Sequence, residues 1–117
     1  KMSEGIRVRK LITELETTVP GTTREVETDE GMPSMEQTPG NLALFDLAKE
    51  CGDQLGLSFS HQFVGGGSDG NKVSAMGIPT LDGLGAVGDG AHAVNEHLLI
   101  DQYVPRIALL ASLIVKI

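Results

Sequence analysis

The stretch LSFSHQFVGGGSDGN, residues 57–71, joins an alternating segment to three consecutive glycines. Across residues 57–64, apolar and polar side chains alternate with a period of two, which predicts a half-buried β-strand. The glycines end this strand, and Ser68 or Asp69 is suited to cap a short helix that runs to about Met76. The stretch therefore predicts a strand, a glycine turn and a short helix in succession.

A second strand is predicted after this helix, in the segment IPTLDGLGAV, residues 78–87, and the loop GDGAH, residues 88–92, follows it. Two strands joined by a short helical crossover favour parallel, right-handed pairing. In open α/β sheets, ligands bind at the carboxyl ends of the strands. We therefore expect an α/β fold in which the glycine turn and His92 line one crevice.

Helical periodicity predicts further helices on either side of these strands. Residues 2–16 carry the pattern of a surface helix, and residues 42–55 place apolar side chains on one face. Gly56 stands where a glycine that ends a helix belongs. Residues 23–29 predict an exposed edge strand. Residues 30–41, which include two prolines and two glycines, predict a loop with no regular element.

The last helix is predicted to have Asp101 as its cap and Pro105 in its first turn, and to run to the end of the chain. The residues of its expected apolar face are Val104, Ile107, Ala108, Ala111, Ile114 and Val115. Because leucines make its other sides apolar too, this helix is expected to be buried on more than one side. Little chain remains to cover it, and Lys1 leads directly into a helix, so we expect a fragment of a longer protein.

Composition excludes several classes of partner. The 117 residues suit one small domain, and the formal net charge of −7 argues against binding to nucleic acid. Cys51 is the single cysteine, which excludes an internal disulfide and favours a reducing, cytoplasmic location. The longest apolar run, residues 107–115, is too short to span a bilayer. We therefore expect a cytoplasmic protein that binds neither nucleic acid nor membrane.

The glycine turn, residues 65–68, allows two interpretations from its residues alone. Backbone N–H groups exposed by glycines before a helix can bind an anion or a polarised carbonyl oxygen. The same residues can equally form a tight turn without a ligand. A nucleotide-binding P-loop requires a lysine followed by serine or threonine, which Asn71-Lys72-Val73 does not provide. The short crossover likewise excludes a dinucleotide fingerprint.

Three histidines are candidate functional residues. His92 has glycine and alanine neighbours that leave room for a metal ion or a substrate, although an ordinary surface histidine has the same pattern. His61 lies on the apolar side of the first predicted strand, so we expect a packed, hydrogen-bonded core residue. His97 is expected to be exposed, because its distance along the chain from His92 is not that of a helical zinc motif.

The carboxylates near these histidines support structure as readily as chemistry. Glu96 is suited either to orient the His92 loop through a hydrogen bond or to cap a helix. We expect Asp69 to cap the short helix, and Asp82 and Asp89 to shape turns beside their glycines. No pair of carboxylates completes a zinc site with His92. The chain therefore supplies one candidate metal ligand from its own residues.

Longer motifs give a specific resemblance. The segments that carry it are GGGSDGN (residues 65–71), GIPTLDGLGAVGDGAHAVNE (77–96), PSMEQTPGN (33–41) and VPRIALLASLI (104–114). Together they resemble the C-terminal part of the di-zinc exopeptidase and deacylase family. That family includes glutamate carboxypeptidase, aminoacylase, acetylornithine deacetylase and succinyl-diaminopimelate desuccinylase. The chain is most similar to the glutamate carboxypeptidase branch.

The resemblance implies a catalytic α/β domain that holds two zinc ions and is interrupted by a lid domain that forms homodimers. Residues 1–28 would be the end of the lid and dimerisation domain, and residues 29–117 the C-terminal half of the catalytic domain. His92 matches the family's last zinc ligand. The residues that match its substrate-contacting loop are Gly66, Gly67 and Ser68.

The same resemblance implies the chemistry of amide hydrolysis. In these enzymes a zinc-bridged water, deprotonated with help from a carboxylate, attacks the carbonyl of a peptide or an N-acyl amino acid. The other zinc ligands and the general-base glutamate belong to the family's N-terminal half, so no catalytic residue is assigned in this chain. Relatives often carry arginine before the proline of the PSME-like segment, where this chain has Met32. That departure leaves the substrate open.

Three hypotheses follow from these residues. The first is a piece of a zinc-dependent amide hydrolase, inactive without the N-terminal half of its catalytic domain. The second is a truncated, non-catalytic interaction module that keeps the fold. The third is an anion-binding module built on residues 65–68, and we rank it last because the longer match already explains the glycines. Under the first, the chain expressed alone is expected to self-associate.

Overall fold

The computed structural model describes residues 1–29 and 31–117. In this part of the chain there are four helices and one two-stranded sheet. The elements in chain order are α1 (Met2–Glu14), α2 (Pro39–Gln54), α3 (Asp69–Ala75), β1 (Gly88–Asp89), β2 (His97–Leu98) and α4 (Ile100–Lys116).

Helix α2 begins earlier than its periodicity predicts. The hydroxyl of Thr38 accepts a hydrogen bond from the Asn41 N–H at 3.1 Å, and Pro39 occupies the first helical position, where its missing N–H costs nothing. The loop predicted over residues 30–41 is therefore wrong in its last three residues; Glu30 lies outside the described residues. The helix ends as predicted, with Gly56 at a φ of 70°.

The core lies between α2 and α4. Ala48 and Cys51 of α2 pack against Leu109 and Leu113 of α4, and all four side chains are buried. The half-buried residues around them are Leu47, Leu57, Phe59, Leu81 and Leu84. The side of α4 that carries Leu109 and Leu113 is therefore the centre of the core, against which α2 and the segments around residues 57–59 and 81–84 pack.

The start and the buried side of α4 differ from prediction. Leu99 is the N-cap and makes no side-chain hydrogen bond, so Asp101 lies inside the first turn and Pro105 falls in the second. The predicted apolar face is largely exposed: Ile107 is 53% exposed and Ile114 is 65% exposed. Helix α2 packs against the side of α4 that carries Leu109 and Leu113, and the opposite side of α4 is left largely exposed.

The predicted strands are not part of a sheet. Residues 23–29, 57–64 and 78–87 have no assigned strand. The sheet found among the described residues is antiparallel, with Gly88 opposite Leu98 and Asp89 opposite His97. A strand needs a neighbour whose backbone groups it can pair with. These three segments have no such neighbour in the described chain, so the parallel α/β arrangement stays a prediction.

The chain has more surface than a compact protein of its mass. Its radius of gyration is 19.4 Å, against about 13 Å for a compact domain of this length. Its accessible surface is 9135 Å², against about 6,100 Å² for a folded monomer of this mass. Helix α1 has no buried residue. No described helix is both long and apolar enough to cross a membrane.

Candidate ligand site

The glycine turn is fixed at its C-terminal end by a reciprocal cap on α3. The Ser68 hydroxyl accepts a hydrogen bond from the Gly70 N–H at 3.2 Å, and the Asn71 Oδ1 accepts one from the Ser68 N–H at 2.9 Å. Ser68 is therefore the cap of α3, as one of the two predicted alternatives has it. The prediction that Asp69 caps this helix is wrong: Asp69 is the first helical residue, and its carboxylate lies 3.9 Å from the Lys72 Nζ.

The turn is also held against the segment that precedes α2. The Asn71 Nδ2 donates a hydrogen bond to the Pro33 carbonyl oxygen at 2.8 Å. A Cβ atom on Gly67 would lie 2.5 Å from the Met32 Sδ, which is closer than such atoms approach, so a side chain here would require the flexible Met32 side chain to move. Gly65 and Gly66 have open space around them. One side of the turn is therefore packed and the other is accessible.

Asn41 joins three segments behind the turn. It is 7% exposed, and its Nδ2 donates to the Glu36 carbonyl oxygen at 2.8 Å and to the Ser74 Oγ at 2.9 Å. Its Oδ1 accepts from the Thr80 N–H at 2.8 Å. The amide thus ties α2 to α3 and to the segment after it. Sequence reasoning missed this residue; a polar side chain in the first turn of an otherwise apolar helix face is the signal that points to it.

His92 lies in the loop that joins β1 to β2. Its φ is 66°, a left-handed conformation that histidine adopts more readily than most residues but that remains uncommon outside glycine. Its N–H donates to the Glu96 Oε2 at 3.4 Å, so Glu96 contacts the loop through a long hydrogen bond, which is one of the two alternatives predicted for it. The Asp89 carboxylate accepts from the Gly90 N–H at 2.7 Å and shapes the turn as expected.

The other two histidines have separate roles. His61 is exposed, which corrects the prediction of a core residue. Its ring contacts Phe45 edge-on with centroids 4.9 Å apart, and its Nδ1 lies 3.0 Å from the Gln37 Nε2. On the same side of the predicted strand, Leu57 and Phe59 are half-buried against the core, whereas His61 and Phe63 beyond them are exposed. His97 is exposed in β2, as predicted, with its Nδ1 2.9 Å from the Asn95 carbonyl oxygen.

The described residues do not by themselves form a zinc site. Across residues 1–29 and 31–117 there is no group of three His, Cys, Asp or Glu side chains able to hold a metal ion. A catalytic zinc takes about three protein ligands, and His92 offers one. No hydrogen bond between described residues links the His92 side chain to the glycine turn. The structure brings Met32, Gly67 and Ser68 together, but it does not join His92 to them.

Comparison with known proteins identifies the family. The chain belongs to peptidase family M20/M25/M40, whose match extends over residues 3–116. It is 27% identical over 114 residues to the uncharacterized protein YqjE of Bacillus subtilis (strain 168), covering 97% of this chain and 30% of that protein. It is 38% identical over 58 residues to Peptidase T of Ligilactobacillus salivarius (strain UCC118), covering 50% of this chain and 14% of that protein.

These matches confirm the family predicted from the glycine motifs, which is a family of metallopeptidase-type hydrolases. The chain spans less than a third of the length of either curated relative. No solved structure matches it.

Proposed function

We propose that this chain is the C-terminal part of a zinc-dependent exopeptidase or deacylase that cleaves amide bonds in small peptides or N-acyl amino acids. The observation that carries the proposal is the family match over residues 3–116, because it includes both the glycine turn and the His92 loop. Similarity to the glutamate carboxypeptidase branch and a cytoplasmic location belong to the same proposal.

In this proposal His92 is one zinc ligand. Its left-handed backbone supports the role, because residues held in sparsely populated conformations cluster at functional sites. A neutral imidazole nitrogen binds the metal, and Glu96 keeps the loop in place through the His92 N–H. Since the described residues hold no group of three ligands, the remaining ligands and the general base come from outside this chain.

The glycine turn contacts the substrate in this proposal. Gly66 lies in open space, so a ligand can approach its backbone closely. Gly67 adds a second backbone N–H and has no side chain to obstruct the approach. The Ser68 hydroxyl accepts from the Gly70 N–H at 3.2 Å and donates to the Asn71 Oδ1 over a long 3.5 Å, a weak bond that a substrate carbonyl oxygen can replace.

The exposed apolar face of α4 is the observation that supports a second part of the same enzyme packing against this chain. Its apolar residues Val104, Ile107 and Ile114 are each more than half exposed. We propose that the N-terminal half of the catalytic domain covers them, that residues 1–28 complete a lid domain, and that the lid forms a homodimer. The 117-residue chain alone is then expected to self-associate, and Ile114→Asp is expected to reduce this. Analytical ultracentrifugation measures both, and a monomeric wild-type chain would count against the covered face.

The second candidate is a non-catalytic interaction module. The incomplete ligand set and the exposed face of α4 favour it equally. It predicts no zinc-dependent hydrolysis in any form of the protein, whereas the first candidate predicts hydrolysis once the N-terminal half is present. The two therefore differ in a single activity measurement.

The test is hydrolysis by the full-length protein, measured with dipeptides and N-acetyl amino acids before and after a chelator removes the metal. We expect activity that zinc restores. His92→Ala should lose activity and bound zinc, because one of about three ligands is gone. His97→Ala is the matched control, since it removes an exposed imidazole five positions away and should keep both. An inactive full-length protein, or zinc-dependent hydrolysis by residues 1–117 alone, would refute the proposal.

A further inference from the structure

Asn71 and Met32 together shape the packed side of the glycine turn. We propose that Asn71 is a positioning residue and that Met32, which it holds against Gly67, is the specificity-determining residue of the ligand site. Met32 would favour an uncharged, apolar substrate group over an anionic one. This inference rests on the proposed function, because it takes the glycine turn as the place where substrate binds.

The bridge through Asn71 connects two segments that are far apart in sequence. One end of its amide accepts from the Ser68 N–H at 2.9 Å, and the other donates to the Pro33 carbonyl oxygen at 2.8 Å. Both groups belong to the backbone, so the bridge sets the distance between the glycine turn and the Pro33–Ser34 peptide, one residue after Met32. An alanine at this position would leave the Ser68 hydroxyl bond to the Gly70 N–H intact. It would remove the bridge together with the long 3.5 Å bond that the Ser68 hydroxyl donates to the Asn71 Oδ1.

The position of Met32 follows from that bridge. Its thioether lies where a side chain on Gly67 would stand, so the sulfur occupies the space beside the turn. Met32 is nevertheless 47% exposed, which leaves part of the side chain available to a ligand. Methionine is flexible and polarisable and forms favourable contacts with apolar groups of varied shape.

The charge around the turn points to the same class of ligand. Residues 65–68 carry no cation. The next charged residues along the chain are Asp69 and Lys72. The Asp69 Oδ1 lies 3.9 Å from the Lys72 Nζ, and the Asp69 side chain is fully exposed. An anionic group beside Met32 would lose water and meet a thioether, with no fixed positive charge from the turn to compensate. An apolar group in the same place has no hydrogen bonds to water to lose, and it gains contact with the methionine side chain.

The test is the ratio of kcat/KM for two N-acyl amino acids that share one acyl group and differ only in carrying leucine or glutamate. We expect wild type to prefer leucine, Met32→Leu to keep the preference, and Met32→Ala to lower it about tenfold, the effect of a changed contact in an apolar pocket. Asn71→Ala should lower it similarly. If Asn71 acts through Met32, the double variant should match Met32→Ala alone. A ratio unchanged in Met32→Ala, or effects that multiply, would overturn the proposal.

Amide hydrogen exchange on the full chain tests the bridge without relying on activity. Asn71→Ala should speed exchange at the Ser68 N–H by roughly three- to tenfold, as loss of one hydrogen bond predicts. Gln54→Ala removes an amide side chain from the far end of α2 and should leave that rate unchanged. An unchanged rate in Asn71→Ala would overturn the positioning role. If wild type cleaves neither substrate, the proposed function and the role of Met32 fail together, while exchange still decides the bridge.

Discussion

Replacing Asn41 by alanine would remove the amide that joins α2, α3 and the segment after α3. Three hydrogen bonds disappear: two donated, to the Glu36 carbonyl oxygen and the Ser74 hydroxyl, and one accepted from the Thr80 N–H. Asn41 and Ser74 are each 7% exposed, so water replaces these partners poorly. At about 1 kcal/mol for each bond, with an added cost for buried groups left unpaired, we expect a loss of about 2–4 kcal/mol.

Urea denaturation followed by helical circular dichroism measures this loss as a lower midpoint at an unchanged slope. Asn95→Ala is the matched control, because the same amide is removed from an exposed position in the His92 loop, and its expected change is within about 0.5 kcal/mol. Asn41→Asp separates the two ends of the amide: it keeps the acceptor for Thr80 but loses both donors and adds a buried charge, so it should be no more stable than Asn41→Ala. A loss below about 0.5 kcal/mol in Asn41→Ala would refute the assignment of Asn41 as a structural centre.

Two further substitutions test packing and charge elsewhere in the chain. Gly52→Ala should destabilise the protein by about 1 kcal/mol, because the steric cost of placing the new methyl group against the Phe59 ring exceeds the gain in helix propensity. Gly5→Ala, in open space on α1, should instead stabilise the protein. Thermal unfolding of the two variants measures both effects. The hydrogen bond from Lys116 to Glu50, 2.7 Å long, raises the lysine pKa above its ordinary value of 10.5. Its stabilising effect is therefore complete below pH 10.5 and is lost as pH rises through the higher folded pKa, so the difference in stability between wild type and Lys116→Met should shrink in that alkaline range; a difference independent of pH would contradict this.

Local features of the fold could be predicted from the sequence. The end of α2 at Gly56, the cap of α3 at Ser68 and the exposed position of His97 depend on residues within a few positions of each other. So does the contact between Glu96 and the His92 loop. Caps and turns are short-range hydrogen bonds, and the residues that make them stand together in the chain.

Long-range features could not be predicted in the same way. The strand expected at residues 57–64 follows a correct period of two, yet a period does not supply a neighbouring strand, and His61 is left exposed. The bridge from Asn71 to Pro33 spans thirty-eight positions. The contact between Met32 and Gly67 is equally remote, so neither is visible in local patterns.

The sequence by itself determined the family, the local caps and the candidate residues of the two glycine loops, because motif and capping chemistry are written in contiguous residues. Only the tertiary structure decided which side of α4 is buried. It also decided that Asn71 bridges the glycine turn to Pro33 and that Asn41 joins α2, α3 and the segment after α3. On a helix that is apolar nearly all round, the hydrophobic pattern does not single out one face. Which face is buried depends on the element that packs against the helix. Here α2 meets Leu109 and Leu113, and the opposite side is left exposed.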